Sequence, residues 1–584
     1  MKNGQNMTVR PPIPIENELA DWAQAAFRAA FSEADPGGVD FSVPATTDES
    51  FGDYQWNAAM GLAKVLRKKP RDIAQALVDA VPLPDSVERV EIAGPGFINL
   101  FLKATNLATR LEQLEADPRL GVPPVGEGRT VVLDYSSPNV AKPMHIGHVR
   151  STVIGNALDR LHRFLGYRVI ADNHLGDWGR QFGLLIRGFR EFADAAALDA
   201  APVEELERIY VKSYERSQED SQWLDEAREE LVKLQQGDEE NLALWKKFIA
   251  LSMGEFDHIY QRLGVSFDEV RGESYYNDRL PGIVERLTEQ GLAVESEGAT
   301  VVFLEEEKLP VCIVQKSDGG YNYASTDLAT IQSRIEEFKP DTILYVTDER
   351  QQLHFQQIFA VARRTGFEVG LAHMWFGLMR LPEGTFSTRE GNVIKLEYLL
   401  DEAESRALAV VQEASPDMPE VQQKEVARAV GIGAVKYMDL SQNPQSLVTF
   451  TWDKALSLEG NSAPYLQYAS ARISSVLDKY FERFPTAVPE EHPIVLTEPQ
   501  ERRLALRLLR FPEAVMRATR SCRPNMLADY LYDLAQVYSS FYQSIPFLKA
   551  EEGVRESRIR ICSLVRATLK QGLQLLGIDT PERI

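Results

Sequence analysis

VVLDYSSPNVAKPMHIGHVRSTVIGNALDRLHRFL, residues 131–165, is the most informative segment of this chain. It opens with a short β-branched run, Val131–Leu133, and continues into a polar loop rich in turn-forming residues. After the loop, apolar residues recur at helical spacing at Val149, Val153, Ile154, Ala157, Leu158, Leu161 and Leu165. A strand, a loop and a helix in this order predict the first unit of a nucleotide-binding α/β fold, which binds ligands at the carboxyl ends of its strands.

Two histidines, His145 and His148, stand where this helix is predicted to begin, with Gly147 between them. Side chains three residues apart on a helix lie on nearly the same face, so both imidazoles can donate to phosphate or ribose oxygens. Gly147 leaves room for a flat purine ring against the backbone. A metal-binding pair and two ordinary surface histidines are the alternatives. The nucleotide site is favoured because no cysteine or acidic cluster accompanies the pair, as a closed metal site requires.

Composition bounds the class of protein. A chain of 584 residues is too long for one hydrophobic core, and we expect roughly three or four domains. Its 44% hydrophobic and 26% charged residues are typical of a globular protein, and the sequence has no run resembling a membrane span or a secretory signal, so a cytoplasmic protein is expected. The net charge of −22 argues against a nucleic-acid partner, although a phosphate backbone responds to local basic stripes.

The string HIGH, between a predicted strand and a predicted helix, resembles the signature of class I aminoacyl-tRNA synthetases. The longer string SSPNVAKPMHIGHVRSTVIGNAL and the following NHLGDWGRQFG at residues 173–183 are similar to the arginyl-tRNA synthetases in particular. The resemblance covers almost the whole chain. It implies a ligase that uses ATP to activate L-arginine as arginyl-adenylate and transfers it to the 3′ end of tRNA(Arg) for protein biosynthesis. It also implies Mg²⁺ as a cofactor, no protein-bound metal site, no membrane partner, and a monomer.

The predicted fold class is a multidomain α/β protein. Residues 1–125 are expected to form a small α+β domain, which by resemblance contacts tRNA. Residues 126–195 and 305–400 are expected to form a Rossmann-type parallel sheet, split by a helical connective insertion at 196–304. Residues 401–584 have helical periodicity and predict an all-helical domain, which by resemblance binds the anticodon.

Strands are predicted at Val87–Ile92, Phe97–Leu102, Thr300–Leu304, Val311–Gln315 and Asp341–Val346. The last of them, DTILYV, reads as a buried parallel strand. A helix is predicted over Gln351–Arg363, which completes a second strand and helix unit.

A site for arginine needs carboxylates and carbonyl-type acceptors, because a guanidinium is planar, permanently charged and only a donor. Each polar residue that the sequence offers has an ordinary alternative: Asp327 as a helix N-cap, Asn139 as a turn residue, Gln351 as a solvated helix start. The resemblance favours a binding role for these residues as a set. It implies that the arginine-binding positions are Asp134, Ser136, Asn139, Tyr323, Asp327 and Gln351.

A second catalytic string departs from the class. Class I synthetases usually carry KMSKS on a mobile loop, whereas this chain reads GTFSTREGN at residues 384–392, with Thr388 in place of the critical lysine. Arginyl-tRNA synthetases with this loss carry a lysine three residues before the first histidine, and Lys142 stands there. The resemblance implies that Lys142 supplies the missing charge and that Ser387 and Arg389 hold phosphates. An ordinary surface lysine is the alternative.

One segment of the helical region is strongly basic: Glu501–Arg523 contains seven arginines and two glutamates, and a helix is predicted over Glu501–Ala518. Arg503, Arg507 and Arg510 are therefore predicted to bind tRNA, as are Lys68 and Lys69 of the first domain. Pairing of the arginines with acidic residues and a solvated helix end at the lysines are the alternatives.

Two other kinds of protein have part of this pattern. A nucleotidylyltransferase also uses an HxGH helix on a parallel sheet, but such enzymes are usually shorter and have no helical C-terminal third with a basic stripe. An inactive RNA-binding paralogue would explain the missing lysine at Thr388, but His145, His148 and Lys142 argue against it.

Overall fold

The computed structural model describes residues 14–584 except residues 36, 47, 382–383 and 386–394. Its N-terminal part contains α1 (Ile15–Ala30), β1 (Tyr54–Trp56), α2 (Ala58–Leu66), α3 (Pro70–Ala80), β2 (Val87–Ala93), β3 (Phe97–Leu102) and α4 (Ala104–Ala116). The strands form an antiparallel sheet in the order β1-β3-β2. Trp22, Phe27 and Trp56 are buried in its core. The predicted small α+β region and its strands are confirmed.

The segment that contains HIGH forms the first part of the parallel sheet. Its elements are β4 (Thr130–Asp134), α5 (Ile146–Phe164), β5 (Arg168–Leu175) and α6 (Gln181–Phe192). His145 is the N-cap of α5 and accepts a hydrogen bond at Nδ1 from the Gly147 N–H, 3.0 Å away. The His145 N–H in turn donates to His148 Nδ1 at 3.1 Å. The two histidines therefore satisfy backbone N–H groups at the start of the helix, which fixes both rings.

A mainly helical region follows α6, and one strand within it belongs to the parallel sheet. Its elements are α7 (Ala195–Ala200), α8 (Pro202–Glu219), α9 (Ser221–Gln235), α10 (Glu239–Leu263), β6 (Glu269–Gly272), α11 (Leu280–Glu289), β7 (Ala293–Ser296), β8 (Ala299–Val302) and β9 (Cys312–Gln315). β6 pairs in parallel with β5, so a strand of the parallel sheet lies within the range 196–304 predicted for the insertion. The predicted strands near 300 and 311 exist as β8 and β9, but they belong to a separate antiparallel sheet with β7.

The second half of the parallel sheet consists of α12 (Tyr323–Phe338), β10 (Thr342–Asp348), α13 (Gln352–Arg364) and β11 (Gly370–Phe376). The order of the sheet is β11-β10-β4-β5-β6. Asp134 is in register with Asp172 of β5 and with Tyr345 of β10. Parallel strands bring their carboxyl ends to one edge, so the loop after β4 and the residues after β10 meet there.

The rest of the chain is mainly helical: β12 (Met379–Leu381), β13 (Gly384–Thr385), α14 (Leu396–Ala414), α15 (Glu420–Leu440), β14 (Val448–Thr449), α16 (Trp452–Ala455), α17 (Ala463–Arg483), α18 (Pro499–Leu509), α19 (Phe511–Arg520), α20 (Asn525–Ser544) and α21 (Val554–Leu575). One predicted helix, Glu501–Ala518, is wrong as a single element. It is divided between α18 and α19 because Pro512 cannot continue the preceding turn. Within the described residues, no helix combines the length and apolar character needed to cross a bilayer.

Arg150 connects the histidine helix α5 to the helical region. Its side chain is 1% exposed, and its Nη2 lies 2.8 Å from Asp439 Oδ1 near the end of α15. The same guanidinium donates to the Pro444 carbonyl and the Ser446 carbonyl, both at 3.2 Å. The position of α5 is therefore set partly by the C-terminal part of the chain.

The basic segment Glu501–Arg523 makes many contacts within the protein. Arg502 pairs with Asp53 of the N-terminal domain at 2.7 Å, and Arg510 donates to the Asp53 carbonyl at 3.0 Å. Arg507 pairs with Asp533 of α20 at 2.9 Å. These contacts join the N-terminal domain directly to the helical bundle, and they occupy two of the three arginines predicted to bind tRNA.

Candidate active site

A cleft with two adjoining parts opens at the carboxyl edge of the parallel sheet. The histidine part has a volume of about 270 Å³ and is lined by residues that include His145, Gly147, His148, Arg350 and Phe376. The acidic part has a volume of about 380 Å³ and is lined by residues that include Asp134, Glu273, Tyr323, Asp327 and His354. Both parts share the side chains Ser137, Asn139, Thr347 and Gln351.

The two histidines of the histidine part are close together and electrically neutral near pH 7. Their ring centroids are 4.0 Å apart. Burial lowers the pKa of His145 to about 4, with further contributions from the charges of Arg350 and Lys142. Burial likewise lowers the pKa of His148 to about 3. Both Nδ1 atoms accept backbone N–H groups, so each neutral ring carries its proton on Nε2 and can donate it to an anion.

Two cations act on these histidines from different elements. Lys142 is half-buried in the loop before α5, and its Nζ lies 5.0 Å from the centroid of the Tyr210 ring in the insertion. Arg350, just after β10, lines the histidine part and pairs with Asp348. The charges of both Lys142 and Arg350 help to lower the pKa of His145, which places them near that ring. Arg350 was not predicted from the sequence.

Two carboxyl groups, those of Asp327 and Glu273, line the acidic part and interact electrostatically. Burial raises the pKa of Glu273 to about 8, and the charges of Asp327 and Asp177 add to this effect. Asp327 Oδ2 lies 2.5 Å from His354 Nε2. This pair of carboxyl groups suits a guanidinium, because a cation bound there favours the ionised form of both groups and offsets the repulsion between them. Glu273 and His354 were not predicted from the sequence.

Asp134 lines the acidic part, but its charge is already paired. Its Oδ2 lies 2.6 Å from Nη2 of Arg334, which also lies 2.8 Å from Asp172. Its Oδ1 accepts a hydrogen bond from Ser137 Oγ at 3.0 Å. Arg334 is fully buried under the sheet edge, so this triad holds β4, β5 and α12 together. Asp134 therefore shapes the wall of the acidic part, and its charge is already neutralised by Arg334.

The other residues predicted to bind arginine are divided between the two parts. Asn139 and Gln351 line both parts and stand where these meet. Tyr323 lines the acidic part and is 66% exposed. Ser136 lines the histidine part instead, and its hydroxyl lies 2.8 Å from each of the hydroxyls of Thr152 and Tyr260.

The string GTFSTREGN lies mostly outside the described residues, and with it Ser387, Thr388 and Arg389. The chain resumes beside the histidines. Lys395 forms an antiparallel bridge with His145, and the Leu396 N–H donates to the Met144 carbonyl at 2.9 Å. Among the described residues, no group of three or more histidine, cysteine, aspartate or glutamate side chains is arranged to hold a metal ion.

Matches to known proteins extend along most of the chain. Residues 111–452 match the model of the class I (R) tRNA synthetase catalytic domain. Residues 17–102 match the arginyl tRNA synthetase N-terminal domain, and residues 466–584 match the DALR anticodon-binding domain. The arginine–tRNA ligase of Fusobacterium nucleatum is 44% identical over 562 residues, covering 96% of this chain and 98% of the relative. That of Azotobacter vinelandii is 47% identical, covering 94% of this chain and 96% of the relative.

The chain belongs to the arginyl-tRNA synthetases. The crystal structure of the arginyl-tRNA synthetase from Plasmodium falciparum matches with a TM-score of 0.85 at 27% identity, covering 98% of this chain and 99% of the other. The enzyme from Thermus thermophilus matches with a TM-score of 0.82 at 26% identity, covering 98% and 100%. The predicted family, fold class and ligase activity are confirmed, whereas the predicted domain boundaries and site residues stay predictions.

Burial of the two histidines leads to a prediction about pH. Both side chains should remain neutral from roughly pH 5.5 to pH 8 and gain a proton only as the pH falls towards their lowered pKa values of about 4 and about 3. NMR of the enzyme carrying ¹³Cε1-labelled histidine, with signals identified from His145→Gln and His148→Gln variants, measures this. A titration midpoint above about pH 6 for either signal would contradict the conclusion that both histidines are neutral at pH 7.

Proposed function

We propose that this ligase activates arginine across the boundary of the two parts, with ATP in the histidine part and arginine in the acidic part. An oxygen of the arginine carboxylate attacks the α-phosphorus, the bond from that phosphorus to the bridging oxygen breaks, and pyrophosphate leaves. A hydroxyl of the terminal tRNA ribose then attacks the carbonyl carbon of arginyl-adenylate, and AMP leaves. The observation that supports this most is that Asn139 and Gln351 line both parts, so the two substrates meet without a wall between them.

Arginine is oriented by charge. Its guanidinium lies between Asp327 and Glu273, at the end of the acidic part remote from the histidines. Asn139 and Gln351 stand beside the α-carboxylate, which has to reach the histidine part. Tyr323 covers the mouth of the acidic part. Asp134 supports the acidic part through its pairing with Arg334. Ser136 supports the adjoining histidine part through the hydroxyls of Thr152 and Tyr260.

ATP is held by donors and by close backbone approach. The Nε2–H groups of His145 and His148 donate to phosphate oxygens, and Gly147 lets the purine approach the start of α5. Lys142, Ser387 and Arg389 stabilise the negative charge that spreads over the phosphates in the transition state. Mg²⁺ enters with ATP as part of that substrate, bound to its phosphate oxygens. No protein nucleophile is required, because catalysis rests on position and electrostatics.

The tRNA is proposed to be tRNA(Arg), held by both end domains. Lys68 and Lys69 are exposed between α2 and α3 of the N-terminal domain, and Arg503 is exposed on α18. Arg507 and Arg510 also belong to this surface, although they hold Asp533 and Asp53. We place the enzyme in the cytoplasm as a monomer.

Pyrophosphate exchange tests the reaction as a whole. Incubation with ATP, labelled pyrophosphate and each amino acid in turn should give label in ATP for arginine, and family members commonly need tRNA present for this step. A nucleotidylyltransferase would exchange with none of the amino acids and only when its own acceptor is supplied. An inactive paralogue would not exchange at all.

Replacing Lys142 with Ala should lower the rate of arginine activation about 10²- to 10³-fold, because the transition state loses one preorganised charge. Binding of tRNA should stay nearly unchanged. Steady-state exchange and filter binding measure the two effects. Lys212→Ala is the matched control, since Lys212 also lies over an aromatic ring of the insertion, 4.3 Å from the centroid of Phe192. Exchange by the Lys142 variant at the rate of the unaltered enzyme would show that this lysine has no part in the reaction.

Replacing Asp327 with Asn should raise the KM for arginine far more than the KM for ATP. A bound guanidinium loses a charged acceptor, a change of roughly 2–5 kcal/mol in favourable cases. Asp318→Asn, in the exposed turn before α12, removes the same charge away from the cleft and is the control. Equal changes in the two constants would mean that the substitution alters the fold rather than the arginine site.

Replacing Lys68 and Lys69 with Glu should weaken tRNA binding without lowering the melting temperature. The plot of log affinity against log salt should flatten by about 0.7–0.9 for each phosphate that the variant no longer neutralises. Lys246→Glu with Lys247→Glu makes the same charge change on α10 and should leave the slope alone. The triple variant of Arg503, Arg507 and Arg510 to Glu should weaken binding and also lower the melting temperature, since Arg507 and Arg510 hold internal partners. An unchanged slope in the variant of Lys68 and Lys69 would show that these lysines do not contact the phosphates of tRNA.

A further inference from the structure

His354, in the first turn of α13, places an imidazole among the carboxylates of the acidic part. Its Nε2 lies 2.5 Å from Asp327 Oδ2. The side chain of His354 is 31% exposed and that of Asp327 is 21% exposed, so both are reachable from the cleft. The ring also contacts that of Phe355 edge-on, with centroids 5.5 Å apart, which holds its orientation.

The carboxylates of the acidic part differ in the countercharge available to them. Asp134 is neutralised by Arg334. Within the part of the chain that the structure describes, His354 is the basic group at salt-bridge distance from Asp327, and Glu273 has no such partner. The other titratable groups that line the acidic part with His354 are Asp134, His174, Glu273, Tyr323, Asp327 and Tyr345, and the charge of His354 also acts on His373.

This distribution has a consequence for an arriving guanidinium. Asp327 is the carboxylate to which we assign the substrate, and its Oδ2 is the oxygen that His354 contacts. Two cations cannot share that oxygen without repelling each other in a partly buried site. The charge on the histidine must therefore be lost as the substrate charge arrives.

We propose that His354 takes the place of the substrate cation in the empty pocket: it neutralises Asp327 there, and its proton passes to solvent when the guanidinium of arginine binds. This inference rests on the proposed arginine site. It differs from a purely structural role, in which a neutral ring would hold Asp327 in place whether or not the substrate is bound.

The direction of the pH dependence follows. Burial opposes protonation of His354, but the hydrogen bond and charge of Asp327 outweigh it and raise the pKa above its ordinary value. Binding then competes with this proton, so arginine affinity rises as the pH rises through that pKa. Glu273, whose pKa burial raises to about 8, must also lose its proton to become an acceptor and acts in the same direction. Each proton released changes affinity by up to about tenfold per pH unit.

Proton release can be counted directly. Calorimetric titration of L-arginine into the full enzyme near neutral pH, in two buffers that differ in ionisation enthalpy, gives the number of protons released. The measurement is made with and without tRNA(Arg). The unaltered enzyme should release protons, and His354→Gln should release fewer by up to about one, because an amide keeps a donor for Asp327 but does not titrate. The Glu273→Gln variant should no longer release the proton of Glu273 and should still release that of His354.

His373→Gln is the matched control. His373 lies on the opposite side of Phe355, with ring centroids 4.5 Å apart, and its Nε2 lies 2.8 Å from Thr347 Oγ1. Burial lowers its pKa to about 4, so it is already neutral under these conditions. Its replacement should leave the number of released protons unchanged. ATP affinity, measured in every variant, reports whether the fold is intact.

The outcomes separate this inference from the function on which it rests. Arginine binding whose heat does not depend on the buffer, or a His354→Gln enzyme that releases as many protons as the unaltered one, overturns the role of His354 and leaves the arginine site in place. An unaltered enzyme that neither binds arginine nor exchanges pyrophosphate in its presence overturns the proposed function itself.

Discussion

The buried guanidinium of Arg150 is the contact on which the geometry of the cleft depends. It lies one turn after the histidines and is fixed by Asp439 and by backbone carbonyls from the C-terminal part of the chain. Loss of one partner of a buried ion pair costs about 3–5 kcal/mol, because the other charge remains buried without compensation. The neutral histidines at the start of α5 are thus positioned by the helical bundle as much as by the sheet. The parallel sheet and the helices that follow it therefore cannot move independently at this point.

The two parts of the cleft have opposite electrostatic character, although they share four lining residues. Lys142 and Arg350 act on the histidine part, whereas Asp327 and Glu273 dominate the acidic part. ATP is an anion at its phosphates and arginine is a cation at its side chain, so each substrate is attracted to one part and repelled from the other. In the arrangement proposed above, their reacting ends, the α-phosphate and the carboxylate, are left at the boundary. Separation of charge across one cavity therefore achieves alignment without covalent chemistry.

The sequence predicted the local structure well where the candidate site residues are close together in the chain. His145, Gly147 and His148 could be recognised because strand, loop and helix follow each other within one segment, and the structure adds only that both rings cap the helix. Glu273 and His354 could not be found in this way, since they reach the acidic part from a short helix and from α13, far from β4 in the sequence. The pairing of Asp134 with Arg334 was likewise hidden, because 200 residues separate the partners. The contacts of Arg507 and Arg510 also required the tertiary structure, as periodicity cannot tell an arginine facing solvent from one facing another domain.

The direct junction between the first domain and the helical bundle has a consequence for the choice of RNA. Arg502 and Arg510 hold Asp53, and Arg560 of α21 holds Glu115 of α4 at 2.5 Å. The spacing between these outer domains is thus set by their own interface rather than by a chain of contacts through the catalytic sheet. An RNA gripped at both places has to bridge a fixed distance before its 3′ end can enter the cleft. With the tRNA contacts proposed above, this fixed spacing selects RNAs by their length and bend before any base is read.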